Sequence, residues 1–343
     1  MSLDVEFASD NHSGVHPEVM NALMEANKGY SISYGEDEYT LSAKRLLRKV
    51  FGSNSDSFFV YNGTAANILG LKTVTKSFHS ILCASSAHLT VHECCGPERF
   101  TGCKLSTIPT EDGKLTPALI EPYLMGMGDV HMAQPKIISI TQSTELGTTY
   151  TIDELKEICR FAHQNNLLVH VDGARLCNAA VYLRTGLKEI TKDVGVDVLS
   201  FGGTKNGLMY GEAVVFLDKS LAADFEFYRK QGMQLTSKMR FISAQFNMFL
   251  QDDLWKKNAE HANQMACYLE KELKMIPHIK LVQKVEANMV FVRIELAHMK
   301  KIRKKFYFHV LEQDPSVARL VCSFNTTKNH IDGLIDGLKQ ICD

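Results

Sequence analysis

The sequence predicts an α/β fold: a mostly parallel central sheet with helices on both faces, and a smaller C-terminal α+β domain. Three observations carry this. Short apolar runs such as Ile137–Thr141 and Leu167–Val171 alternate with amphipathic helical stretches across the middle of the chain, the pattern of βαβ units. Several of these runs end on small, polar or charged residues, where α/β proteins gather functional groups. From about residue 246 the rhythm changes to strand, strand and helix, which places a large domain over 1–245 and a small one over 246–343.

Composition narrows the class. The 343 residues are enough for a large domain plus a smaller one. Charged residues are 22%, hydrophobic ones 45% and the net charge is -1, so nothing argues for nucleic acid or an anionic membrane as partner. The basic bunch at Lys300-Lys301 and Arg303-Lys304-Lys305 reads as a solvated helix face. None of the nine cysteines has C-x-x-C spacing, so neither a disulfide framework nor a zinc site is suggested. The opening MSLDVEFASD lacks the basic and apolar regions of a secretory leader. With no apolar run of transmembrane length, the expected location is cytoplasmic.

In order along the chain, Phe7–Gly14 is a polar, turn-rich segment. A helix is expected from Pro17, with Val19, Met20, Leu23 and Met24 on one face. The loop Ser33–Asp37 precedes a helix from about Tyr39 to Val50. Phe58–Tyr61 is a short strand, followed by Asn62-Gly63-Thr64 and a helix from Ala65. A strand, a Gly-Thr turn and a helix N-terminus form a ready anion site. The turn is neither a Walker loop nor a G-x-G-x-x-G fingerprint, so a single phosphate fits better than ATP or NAD. An ordinary unliganded turn fits this feature equally well.

The next strand, Ser80–Ala84, ends at Ser86-Ala87-His88, and His92 and Glu93 follow. His88, His92 and Glu93 lack a metal-site spacing, so no metal is expected. Strand Ile137–Thr141 runs into Gln142-Ser143-Thr144-Glu145. His131 lies upstream in a loop, and a helix over Ile152–Asn165 leads into Leu167–Val171. A strand over Val196–Phe201 is followed by Glu212–Leu217 as a hairpin-like return, then by a helical stretch through Arg229, Lys230 and Ser237–Arg240. A long helix from Trp255 to about Lys274, strands at Ile279–Val282, Asn288–Ile294 and Ala318–Phe324, and a helix over His330–Ile341 complete the chain.

Two costly residues stand at the centre of this layout. Asp172 ends one apolar strand, and Lys205 follows another after Gly202-Gly203-Thr204. Charged groups near a core need partners. Both find one in pyridoxal 5'-phosphate, which a lysine binds as a Schiff base and whose ring nitrogen an acid keeps protonated. Two surface residues of an unrelated α/β protein give the same spacing. Arg319, in the otherwise apolar run Val317–Cys322, requires a carboxylate partner as well.

The segments FASDNHSGVHPEV, YGEDEYT, YNGTAAN, SSAH, HVDGAR, SFGGTKNG, SKMRF and VARLVCSF together resemble the low-specificity L-threonine aldolases, including phenylserine aldolase-like members. The resemblance covers essentially the whole chain and implies an aspartate aminotransferase-type fold. It implies that Lys205 carries the cofactor, that Asp172 meets the pyridine nitrogen and that Arg175 lies near the ring's phenolic oxygen. Gly63, Thr64 and Thr204 would hold the phosphate, and His88 would stack on the ring. Ser9 and Arg319, with Arg175, would bind the substrate carboxylate, and His131 would approach the β-hydroxyl. Tyr34 and Arg240 would complete a neighbour's site in a homodimer or homotetramer. Val91 and His92 depart from the family pattern beside the expected β-substituent. The implied reaction cleaves the Cα–Cβ bond of L-threonine, L-allo-threonine or a related β-hydroxy amino acid into glycine and an aldehyde. Another lyase of this fold, or a catalytically silent binding protein, would share much of the pattern.

Overall fold

The computed structural model describes residues 6–342; Met1–Val5, part of the opening read as leader-free, lie outside them. The large sheet has seven strands in the order β1-β7-β6-β5-β4-β2-β3. They are β1 Asp56–Val60, β2 His79–Ala84, β3 Lys104–Ile108, β4 Gln134–Thr141, β5 Leu168–Gly173, β6 Val198–Gly202 and β7 Glu212–Phe216. From β3 through β6 all neighbours pair in parallel. β7 is antiparallel to both β6 and β1, so it alone runs against the others. This is the expected mostly parallel sheet, with the hairpin-like return in place.

The central strands are apolar on both faces because helices cover both. Leu82, Ile138, Val169 and Leu199 belong to one large core, which helix residues such as Leu47, Leu155 and Phe246 complete. Phe58, Val60, Val198 and Val214 build a second cluster with Ile68, Leu69 and Phe225 on the other face. Helix starts follow their capping residues. Asp37 accepts the Thr40 N–H at the start of Glu38–Phe51, and Thr151 with Glu154 forms a reciprocal capping box on Ile152–Gln164.

A second sheet has four antiparallel strands in the order β10-β11-β9-β8: β8 Lys280–Leu281, β9 Met289–Arg293, β10 His309–Val310 and β11 Val317–Val321. Its core joins Val290, Val292, Ala318 and Leu320 to the helices Leu254–Leu273 and Lys328–Cys342. Phe7 packs there too, and its backbone bonds to Tyr307 and Val321. The N-terminal segment is therefore laid along the second sheet.

Some elements differ from the sequence reading. β3 was not expected. β3 is an edge strand of mixed burial, so its pattern lacks the apolar run that marks central strands. The basic bunch begins on Leu296–Ile302 and its side chains are exposed, as expected, but Arg303–Lys305 lie past the helix end. The helical stretch from Arg229 to Arg240 is two helices, Phe225–Gln231 and Arg240–Leu250. Gly232 and the positive φ of Met233 interrupt it.

Candidate active site

Because β1, β2, β4, β5 and β6 point the same way, their C-terminal ends share one edge of the sheet. A cavity of about 610 Å³ opens there, where open α/β sheets bind ligands. Its lining includes Ser9, Gly63, Thr64, His88, Asp172, Arg175, Thr204, Lys205 and Arg319. Side chains spread over 310 positions of sequence thus meet in one place.

At the end of β1, Asn62 caps the helix Gly63–Thr73 by accepting the Ala65 N–H at 2.9 Å. The backbone N–H groups of Gly63 and Thr64 have no protein partner among the described residues. A Cβ placed on Gly63 would meet nothing within 4 Å. Free donors at a positive helix end, with open space before them, suit a phosphate.

Asp172, at the end of β5, is buried and well held. Its Oδ2 accepts from Asn67 Nδ2 at 2.9 Å and its Oδ1 from the Ala174 N–H at 3.0 Å. Asn67 Nδ2 also donates to Glu93 Oε1 at 2.9 Å, and Glu93 Oε1 meets His88 Nδ1 at 3.0 Å. His88, Glu93 and Asp172 therefore present donor atoms within 4.8 Å of one another. This differs from the set weighed from sequence, which had His92 in place of Asp172. Asn67 bridging the two carboxylates accounts for the cluster as a hydrogen-bond network. Behind Asp172, His170 is sandwiched between Ser139 and Ser200 at 2.9 and 3.1 Å. Burial lowers it to about 4 against the pull of Asp172, so the imidazole is neutral at neutral pH.

Lys205 lies in a single 3-10 turn after β6. Burial depresses its ammonium below the ordinary lysine value, and Arg175 adds to this, while Asp10, Asp172 and Glu212 oppose it. A lysine that sheds its proton more easily is a better nucleophile toward an aldehyde. Gly202 permits the close approach of this turn to the one after β5, because a Cβ there would lie 2.7 Å from the Ala174 backbone.

Arg175 is engaged within the protein. Its Nε and Nη2 donate to the two Asp10 carboxylate oxygens, each at 2.7 Å. Burial would raise the Asp10 pKa, but Arg175 and Lys205 outweigh it and hold the carboxyl below its ordinary value. Asn288 Nδ2 donates to Asp10 Oδ2 at 3.0 Å and to Cys322 O at 2.7 Å. Asp10 thus ties the large sheet to the edge of the small one. Among the described residues, Arg319, from β11, donates only to Ala8 O at 3.4 Å, and its buried Nε has no partner.

Four residues named from sequence lie outside this cavity, among them Val91, exposed at the end of the helical turn His88–Val91. His131 is exposed in the loop after the helical turns ending at Leu124, with its backbone N–H on Asp129. Tyr34 is exposed beneath Lys230, whose Nζ lies 5.1 Å from the ring centroid. Arg240 donates to Gly29 O at 3.3 Å. Conversely, sequence reasoning missed Asp10, Asn67, Glu145 and Glu212, all at the site, and weighed Glu93 only as a metal ligand. Glu145 accepts from the His88 N–H at 2.7 Å and Thr141 Oγ1 at 2.8 Å, and burial raises its carboxyl above the ordinary value. Its place four residues past a central strand was the available signal.

The sheet order and a strand-end cavity lined by both Lys205 and Asp172 are those of the aspartate aminotransferase-type enzymes, whose lyase branch depends on pyridoxal phosphate. The beta-eliminating lyase family model matches residues 6–297. A low specificity L-threonine aldolase of Pseudomonas aeruginosa is 42% identical over 98% of this chain and 97% of its own. Another, from a Pseudomonas species, is 40% identical over 98% and 97%. Among solved structures, a Leishmania major threonine aldolase superposes with a TM-score of 0.91 at 28% identity, over 98% of this chain and 99% of that one. The chain belongs to the low-specificity L-threonine aldolases of the beta-eliminating lyase family.

Proposed function

We propose that the protein is a pyridoxal phosphate-dependent aldolase that cleaves L-threonine, L-allo-threonine or a related L-β-hydroxy-α-amino acid into glycine and an aldehyde. The observation that carries this is the cavity itself, where a lysine, a held carboxylate, free helix N–H donors and an arginine with an unpartnered Nε line one space.

The residues fit the cofactor. Lys205 would be its covalent attachment point, Asp172 would meet the ring nitrogen, His88 would lie against the ring, and Gly63, Thr64 and Thr204 would hold the phosphate. When bound, the cofactor accepts the electron pair released as Cα–Cβ breaks. The protein's part is orientation and proton movement. Arg319 holds the substrate carboxylate with Ser9 and so sets the torsion about Cα, which places the breaking bond for cleavage. Arg175 has two of its nitrogens committed to Asp10, so this reading gives it the lesser share of that clamp. Glu145 and Glu93 fix His88 from its backbone and its ring. The β-hydroxyl loses a proton and Cα gains one, which leaves the products balanced.

His131, Tyr34 and Arg240 are assigned to a neighbouring subunit's site in a homodimer or homotetramer. Exposed Met125, Met127, Val130 and Met132 surround His131 in sequence, and such apolar exposure marks association surfaces. The small unit 246–343 contributes Arg319. None of the described helices is long and apolar enough to cross a membrane, and a cytoplasmic setting is part of this proposal.

The test is direct. Purified protein incubated with L-threonine or L-allo-threonine should release glycine and acetaldehyde in equal amounts. Borohydride should fix the cofactor to the peptide holding Lys205, and Lys205→Ala should abolish both results. 2-Oxobutanoate and ammonia in place of glycine and acetaldehyde would assign the protein to an eliminating lyase instead.

A further inference from the structure

Glu212 is a buried carboxylate that the reaction outlined above does not use. It opens β7 and pairs in register with Gly202, the last residue of β6. Because β7 alone runs backwards, its first residue lies at the edge where the other strands end. Glu212 Oε2 accepts the Gly203 N–H at 2.8 Å, and Thr204 and Lys205 line the same cavity as its carboxyl. The acid therefore holds the turn that leads directly into Lys205.

Three carboxylates bear on Lys205: Asp10, Asp172 and Glu212. Asp10 is neutralised by two hydrogen bonds from Arg175. Asp172 is held by Asn67 and the Ala174 N–H. Glu212 has no cationic partner among the described residues closer than the influence of Lys205 itself, and it also faces Asp172. Burial lifts it to about 7, while the Gly203 hydrogen bond and Lys205 pull the other way.

We propose that Glu212 is a positioning residue that fastens the Gly203–Thr204 turn and supplies the negative charge that keeps a proton on the Lys205 nitrogen once the cofactor is attached. This rests on Lys205 being the attachment point, which the borohydride label checks separately. A missing label on Lys205 would defeat that assignment, whereas the outcomes below concern Glu212 alone.

Glu212→Gln keeps an oxygen to accept from Gly203 and removes the charge. Glu212→Ala removes both. Each holoenzyme is titrated by its visible absorption, which follows the proton on the attachment nitrogen. A lost neighbouring negative charge disfavours the protonated form, so the midpoint of Glu212→Gln should fall by about one pH unit. Its cofactor release rate should stay within roughly threefold of the parent, because the turn keeps its hydrogen bond. Glu212→Ala should show the same lowered midpoint and release the cofactor roughly tenfold faster. A Glu212→Gln midpoint equal to the parent's would overturn the charge role. Equal release rates for the Ala and Gln variants would overturn the fastening role. If either variant fails to fold, the parent labelled with 13C at glutamate Cδ gives the reading. A buried carboxyl signal should then move over the same pH range as the visible band, and none moving there overturns the proposal.

Discussion

Among the described residues Arg319 meets one backbone carbonyl, at 3.4 Å, and its Nε has no partner. No carboxylate of the small unit forms a salt bridge with it among the described residues. A guanidinium kept in this state is a poor structural element and a good receptor for a carboxylate, since its planar fork matches one bidentately. Arg319→Lys keeps the charge and loses the fork. Steady-state kinetics should show about 100-fold or more lost from kcat/KM, equivalent to about 3 kcal/mol, with melting temperature nearly unchanged. A variant that melts far below the parent but keeps kcat/KM would make Arg319 structural.

Asp10 is the opposite kind of residue. Its carboxyl is buried against Arg175 and Asn288, so Asp10→Asn leaves a buried guanidinium uncompensated. Denaturant unfolding should show a loss of about 3–5 kcal/mol. The folded-state pKa of Asp10 is lowered, so its contribution is complete above the unfolded value near 3.8. It drains away as pH falls through the lower folded value. The parent's acid-unfolding curve should therefore lose part of its slope below pH 4 in the Asn variant, with no difference in slope above pH 5.

At the scale of elements, the site is a property of strand ends. Asp172 and Lys205 were legible because a polar residue ending an apolar run, and glycines before a lysine, are local patterns. Gly202 shows how tightly these ends are set. Its Cβ position is occupied by Ala174 backbone atoms at 2.7 Å, which cannot swing away as a side chain would. Gly202→Ala must push the β5 and β6 turns apart. The cost should be about 1–3 kcal/mol, read as a lowered melting temperature, with weakened cofactor retention on dialysis. Normal melting and retention would show that the turns are not so tightly coupled. Elements without a local signature were missed. The edge strand β3 has mixed burial, and the break at Gly232 and Met233 interrupts a stretch that otherwise has helical composition.

At the scale of the molecule, Tyr34, Arg240 and His131 stand outside the cavity of their own chain, which the proposed oligomer explains. Subunit mixing tests this. Lys205→Ala lacks the attachment lysine, and His131→Asn should lose about 10²–10⁴-fold in rate as a general-base defect. If His131 serves a neighbour's site, hybrids of the two variants contain some sites with neither defect. Mixing after partial unfolding and reassembly should then restore a substantial fraction of parental activity. No restoration would place His131 and Lys205 at the same subunit's site, or take His131 out of catalysis.

By itself the sequence determined the α/β class, the chain order of the main strands and the family, and it singled out Asp172, Lys205, Gly63-Thr64 and Arg319 as candidates from their immediate neighbours. These are readable because period, turn chemistry and a charge within an apolar run are encoded within a few positions. Only the tertiary structure decided which of them share one cavity and what holds them there. The Asp10–Arg175 pair joins residues 165 apart, Asn67 reaches Asp172 across 105, and Glu212 reaches the Lys205 turn because β7 runs antiparallel beside β6. A carboxylate looks the same in sequence whether it faces water or a buried donor. Its pKa, and therefore its chemistry, is set by partners that only folding brings within hydrogen-bonding distance.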